Sequence, residues 1–317
     1  MNGPGRPKLA SLSDFQFGAV ATEMIEDVLL HLAQQNEQAV QEAAGRMGSF
    51  RETRIVEFVF LLSEQWCLEK SVSYQAVEIL ERFMVKQAEN ICRQATTQLR
   101  EKTEPQNWRA LKEQLFDKFI LRLVSCVQLA SKLSFHYKAL GYIHTKEELL
   151  ESELDVLKSL NFQINLPTPL AYVEMLLEVL GYNGCSVPAT RLHATCLTLL
   201  DLVYLLHEPV YESLLRASIE NSTPSQLQGE KFVSVKEDFM LLAVGIIAAS
   251  AFIQKHECWS QVVGHLQSIT GIALESIAAF SYAILTHSVG ANTPGRQQSV
   301  PSHLAARALR ATASSNM

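Results

Sequence analysis

The sequence predicts an all-α protein built as two helical bundles, and three observations predict it. Apolar residues recur at spacings of three and four from residue 55 onward, the pattern of helices with one buried face. No stretch sustains the period-two alternation, bounded by hairpin turns, that strands show. The Pro-containing joint Leu166-Pro167-Thr168-Pro169 divides the helical pattern into two halves, each long enough for its own bundle.

Taken in order, Met1 to Asp14 contains Pro, Gly and Ser with Arg6 and Lys8 but no apolar segment, so it reads as a flexible tail and secretion is not expected. Ile55, Phe58, Val59, Leu62 and Trp66 follow the spacing of one helix face and are expected to bury together. Tyr74, Val77, Leu80, Phe83 and Met84 form a second stripe. From Gln94 to Asn107 the chain turns polar and includes Pro105, which predicts a break and an exposed excursion. A third stripe, Phe116, Phe119, Ile120, Leu123, Val127 and Ala130, leads into Leu129-Ala130-Ser131-Lys132-Leu133.

Thr145-Lys146-Glu147-Glu148 has the form of a capping box, in which hydroxyl and carboxylate each satisfy an orphan amide of the first turn. Leu150, Leu154 and Leu157 would be that helix's core face, and the segment from Asn161 to Asn165 would end it. Thr168 as N-cap and Pro169 in the first helical position start the next helix, which Gly181 is expected to close. Leu192, Cys196, Leu199, Val203 and Leu206 share a face before Glu208-Pro209 interrupts it. Glu220 to Glu230 reads as a loop. From Val235 a helix through Phe239, Leu242, Ala243, Ile246, Ala249 and Phe252 is apolar almost all round, as a central helix is. Trp259, Val262, Val263 and Leu266, then Ile272 to Leu285 after Gly271, complete the second half. The resulting domains are 1–50 (tail and leading helix), 51–166, 167–288 and a disordered tail, 289–317.

Composition narrows the function. The 317 residues, 48% hydrophobic and 19% charged with a net charge of -6, can build a sizeable core. A general nucleic-acid binder is usually more basic, so direct nucleic-acid binding is not expected. The longest apolar run, Phe239 to Ile253, is shorter than the roughly 20 residues a bilayer crossing needs, so no membrane partner is expected. Cys67, Cys92, Cys126, Cys185, Cys196 and Cys258 are scattered without a C-x-x-C pair, which suits reduced thiols of an intracellular protein.

Several of these segments resemble cyclins. Val72 to Gln87, with Glu81-Arg82-Phe83 near its end, resembles the second helix of a cyclin box. Leu129-Ala130-Ser131-Lys132 resembles the central helix. Thr145 to Phe162 followed by Leu166-Pro167-Thr168-Pro169 resembles the fifth helix and the bridge to a second box. The resemblance rests on motifs from about residue 51 to 180 and on architecture alone from 181 to 287. It implies a cyclin box followed by a divergent second cyclin fold. Among cyclins it points to a group associated with maturation of meiotic crossovers, which implies a nuclear location, with the cytoplasm as a second one.

In cyclins that bind a cyclin-dependent kinase, a central-helix lysine and a fifth-helix glutamate clasp the kinase, and Lys132 and Glu153 stand at those positions. The residues alone equally allow Lys132 to snorkel from a buried helix and Glu153 to lie on a solvated face. Three departures accompany this match. The connection from Ser134 to His144 is shorter than cyclins use for their fourth helix. That shortening is expected to shift Lys132 from Glu153 and to uncover apolar surface around Leu123 and Val127. Second, the first-helix run that forms a docking patch in many cyclins has Arg51 for Met, Glu52 for the basic residue and Phe58 for Trp, so a patch of Arg51, Ile55 and Phe58 would be reduced. Third, the Gln94 to Asn107 excursion adds length.

His193 and Cys196 share a helix face but lack further ligands, so core packing is expected rather than a metal. No phosphate-loop, nucleophile-elbow or zinc-protease motif occurs, and neither a catalytic residue nor a cofactor is assigned. Thr293 in Thr293-Pro294 is a candidate proline-directed phosphosite. The expected function is thus a non-catalytic adaptor for protein partners, by resemblance those of the crossover machinery. A regulatory subunit of a cyclin-dependent kinase is the alternative, and an all-α enzyme or ligand receptor, needing a polar pocket inside one bundle, is a third.

Overall fold

The computed structural model describes residues 17–18, 22–43, 46, 49–101, 109, 113, 115–134, 145–182, 188–218 and 232–290. Among these residues there is helix and no strand, and no single helix is long and apolar enough to cross a membrane. The helices are α1 (Thr22–Ala43), α2 (Thr53–Gln65), α3 (Lys70–Glu101), α4 (Phe119–Leu133), α5 (Lys146–Ser159), α6 (Pro169–Tyr182), α7 (Ala189–Leu205), α8 (His207–Ser218), α9 (Phe239–Gln254), α10 (Trp259–Thr270) and α11 (Leu274–Gly290). They form two compact units. The first comprises Met47–Thr168 with Tyr204–Glu208, and the second comprises Met1–Arg46, Pro169–Val203 and Pro209–Met317.

In the first unit, α4 is the central helix. Its residues from Leu123 to Ser131 are all buried, because α3 and α5 pack against it and α2 adds a further side. The α3 stripe of Tyr74, Val77, Leu80, Phe83 and Met84 is buried as its spacing predicts. Leu123 and Val127 are 1% and 0% exposed, so the apolar surface expected around them does not open. Phe116 and Ile120 are exposed instead: α4 begins only at Phe119, after Lys118 in the left-handed conformation, so Phe116 lies ahead of the helix, and in its first turn Leu121 rather than Ile120 faces inward.

Two helix faces are rotated from the expectation. On α2 the buried positions are Val56, Val59 and Ser63, with Ile55 half-buried and Phe58 exposed. On α5 the buried positions are Ser152, Glu153 and Val156, while Leu150 and Leu154 face solvent. In both cases small or polar residues occupy the inner face, which counting apolar side chains misses. The break expected after Arg93 does not occur either, since α3 continues to Glu101. Polarity alone does not stop a helix; residues 94–101 contain neither Pro nor Gly. Residues 102–107 of that excursion, the 135–144 part of the short connection, the 220–230 loop and the 291–317 part of the tail, including Thr293, lie outside the described residues.

In the second unit, α9 is enclosed almost all round, with every residue from Leu242 to Ala251 buried. It does not begin at Val235. Residues 232–236 form a separate short helix, and Asp238 caps α9 by accepting from the Leu241 amide at 2.9 Å. The leading helix α1 reinforces that cap from outside. Asn36 donates to Asp238 Oδ1 at 2.9 Å and accepts from the Met240 amide at 3.0 Å, so one side chain satisfies two partners at the start of the core helix. Tyr172 of α6 donates to the Leu32 carbonyl of α1 at 3.1 Å. Gly271, with φ 72, ends α10 in the left-handed conformation that glycine adopts without cost. Gly181, by contrast, does not close α6, which runs on to Tyr182.

Candidate functional site

The candidate site in the first unit is built from the last turn of α4 and the middle of α5. The capping box of α5 is formed in full: Thr145 Oγ1 accepts from the Glu148 amide at 3.2 Å, and Glu148 Oε2 accepts from the Thr145 amide at 2.9 Å. With the start of α5 fixed, Ser152, Glu153 and Val156 turn inward. Ser125 of α4 and Ser152 of α5 lie 2.8 Å apart at their hydroxyls, where small side chains let the two helices approach.

Lys132 stands in the last turn of α4, where its charge complements the exposed carbonyl end of the helix. Its Nζ donates to both carboxylate oxygens of Glu153, at 2.7 and 2.6 Å. The Glu153 side chain is 6% exposed and that of Lys132 is 32% exposed. The two residues are therefore together, and neither the expected displacement nor a solvated Glu153 is seen. The chemistry is a charge-assisted bond with its anion buried and its cation at the surface. Arg122, lower on α4, reaches Asp155 at 3.7 Å and lies over the Phe83 ring at 5.3 Å.

The second predicted set divides. Phe58 is 40% exposed on the outer face of α2 beside half-buried Ile55, and Leu61, which the sequence reading passed over, is 58% exposed. Arg51 takes no part in that surface. It is 4% exposed and donates to Glu78 from Nε at 3.3 Å and from Nη2 at 2.6 Å, with Glu81 3.8 Å from Nη1. Glu81 also accepts from the Phe50 amide at 2.7 Å, and Glu78 accepts from the Tyr204 hydroxyl at 2.9 Å. Tyr204 stacks on Tyr74 with ring centroids 4.9 Å apart, and burial, helped by the Glu78 charge, holds its hydroxyl protonated well above the usual phenol range. This is a structural network. Glu78 and Glu81 recur at helical spacing on α3, and two carboxylates amid an apolar stripe were the one signal that a cation would be buried against them.

In the second unit His193 is buried with its Nε2 3.1 Å from Glu174, and the Cys196 thiol lies 3.2 Å from the Ser250 hydroxyl. These side chains are spent on each other and on packing. Of the cysteines among the described residues, Cys126, Cys196 and Cys258 are buried and Cys67 and Cys92 exposed.

No model of a protein family matches the chain. It is 84% identical to the mouse protein named cyclin N-terminal domain-containing protein 1, over all of this chain and 99% of that one. It is also 84% identical to the human protein of the same name, over the whole of both. The alignment with the mouse protein runs over 332 positions, 15 more than the 317 residues here, so the mouse protein carries residues that this chain lacks. At that identity over the full length, the chain belongs to the cyclin N-terminal domain-containing protein 1 family.

Proposed function

We propose that this protein is a non-catalytic, cyclin-like adaptor that binds protein partners through its first unit. On the resemblance to cyclins associated with crossover maturation, the partners proposed are those of the meiotic crossover machinery, met in the nucleus. The observation that carries the adaptor reading is the set of large apolar side chains left in solvent on helices whose inner faces are fully packed. Leu61 and Phe58 on α2 are 58% and 40% exposed, and Leu150 and Leu154 on α5 are 48% and 43% exposed. Apolar side chains recurring along one helix face are what helical recognition uses. The test is capture of partners by the full chain from germ-line extract, compared with Leu61→Glu and with Leu150→Glu/Leu154→Glu. The reading expects crossover proteins to be recovered by the parent chain and lost from one of the variants. An unchanged set of partners in both variants sinks it.

A second reading, a regulatory subunit of a cyclin-dependent kinase, is favoured by the Lys132–Glu153 pair, which keeps the residue types and the juxtaposition used by kinase-binding cyclins. Lys132→Ala/Glu153→Ala separates the two. Recovery of a kinase by the parent chain and its loss from this variant selects the regulatory subunit; non-kinase partners retained by both select the adaptor.

A further inference from the structure

Gly181 is the last but one residue of α6, and its lack of a side chain has a structural reason. The reason is a backbone crossing. A Cβ on Gly181 would lie 2.9 Å from the Gly18 nitrogen and 2.9 Å from the Phe17 carbonyl carbon, atoms that cannot rotate aside. Gly18 itself has φ 83, which a residue with a side chain adopts only under strain. Beside this crossing the Phe17 ring meets the His193 ring of α7, centroids 5.4 Å apart and planes tilted by 54°. The Glu174 carboxylate of α6 only accepts, so the 3.1 Å contact places a proton on His193 Nε2 and fixes the ring in place. All five residues belong to the second unit.

We propose that Phe17-Gly18 is a releasable latch. The contact holds these two residues against α6 and α7, over the His193 ring and the Gly181 backbone. Two features support release without unfolding: Phe17 and Gly18 are only half-buried, and α1 is held separately through Asn36 and Tyr172. The contact is specific in three places: the Phe17 ring meets His193, Gly18 carries the positive φ, and Gly181 leaves room for the crossing backbone.

Hydrogen exchange on the full chain tests this, comparing the parent with Phe17→Ala, Phe17→Trp and Gly181→Ala. Phe17→Ala and Gly181→Ala should each speed exchange of the peptide spanning Phe17 and Gly18 by about tenfold or more, the factor that corresponds to a modest loss of local stability. The α9 amides, Phe239–Gln254, should keep their protection, and Phe17→Trp should restore slow exchange. The histidine ring resonances should show one residue losing its ring-current shift in Phe17→Ala. Exchange at Phe17-Gly18 unchanged in Gly181→Ala overturns the latch, as does loss of α9 protection in Phe17→Ala, which would make the contact part of the global fold. Phe17→Ala removes one half-buried ring, so it still reports if Gly181→Ala fails to fold.

Discussion

Replacing Arg51 by methionine offers the sharpest test of how the first unit is held together. Arg51 is 4% exposed and its guanidinium faces two carboxylates, Glu78 at 7% and Glu81 at 4% exposure, so removing it takes away the cation that both buried anions share. Breaking a buried pair from one side costs about 3–5 kcal/mol, because the stranded charge keeps its desolvation penalty. A domain is stable by only about 5–15 kcal/mol, so Arg51→Met should remove a large share of that and lower a urea midpoint by on the order of 2 M. The assay is urea unfolding of the full chain, followed by exchange of α3 and α4 amides so that loss in the first unit is read by itself. Adding Glu78→Gln should recover part of the loss, since the amide oxygen still accepts from Tyr204 while one stranded charge disappears. The exposed Arg109–Glu113 pair, with side chains 88% and 68% exposed, is the control, and Arg109→Ala should cost no more than about 0.5 kcal/mol. A loss below about 1 kcal/mol in Arg51→Met, within the range of exposed pairs, would refute the reasoning.

Lys132→Ala should cost more stability than Glu153→Gln, because it strands a carboxylate 6% exposed, whereas Lys132, 32% exposed, can turn to water when its partner is neutralised; equal losses in urea titrations would contradict this. Gly245→Ala should lower the melting temperature, since its Cβ would meet Phe280 at 3.1–3.2 Å and that ring is fully buried, an overpacking cost of about 1–3 kcal/mol against about 1 kcal/mol gained in helix propensity. A rise on calorimetry would count against it. Alkaline pH should destabilise the fold from about pH 9, the ordinary thiol value, onward. Burial pushes the Cys196 thiol up to about 12, so the folded chain keeps a proton the unfolded chain has released. Stability then falls as pH rises between those values, by about 1.4 kcal/mol per unit. The buried Cys126 thiol, also pushed up, acts in the same direction, and Tyr172 and Tyr204 add to it above pH 10. Cys196→Ala should flatten the slope of urea midpoints between pH 9 and 10.5, and an unaltered slope would remove Cys196 from the account.

The sequence by itself determined the helical class, the enclosed helix α9 and the α5 capping box, whereas the closure over Leu123 and Val127 on α4 went against its expectation. Each of these is local: a helix surrounded by others is apolar at nearly every turn, and a cap is set by residues three apart. It also singled out Lys132 and Glu153, through motif order rather than through any physical signal that they meet. Tertiary structure decided which way the half-buried helices face. The inner sides of α2 and α5 carry Ser63, Ser152 and Glu153, the last two partnered from another helix by Ser125 and Lys132, while Phe58, Leu150 and Leu154 are left outside. It likewise turned Arg51 from a surface residue into the cation of a buried network and Gly181 from a helix terminator into a crossing point. A charge is stable in a core only where counter-charges converge on it in space, and a glycine's missing side chain matters only where another backbone passes; neither condition is written in local spacing.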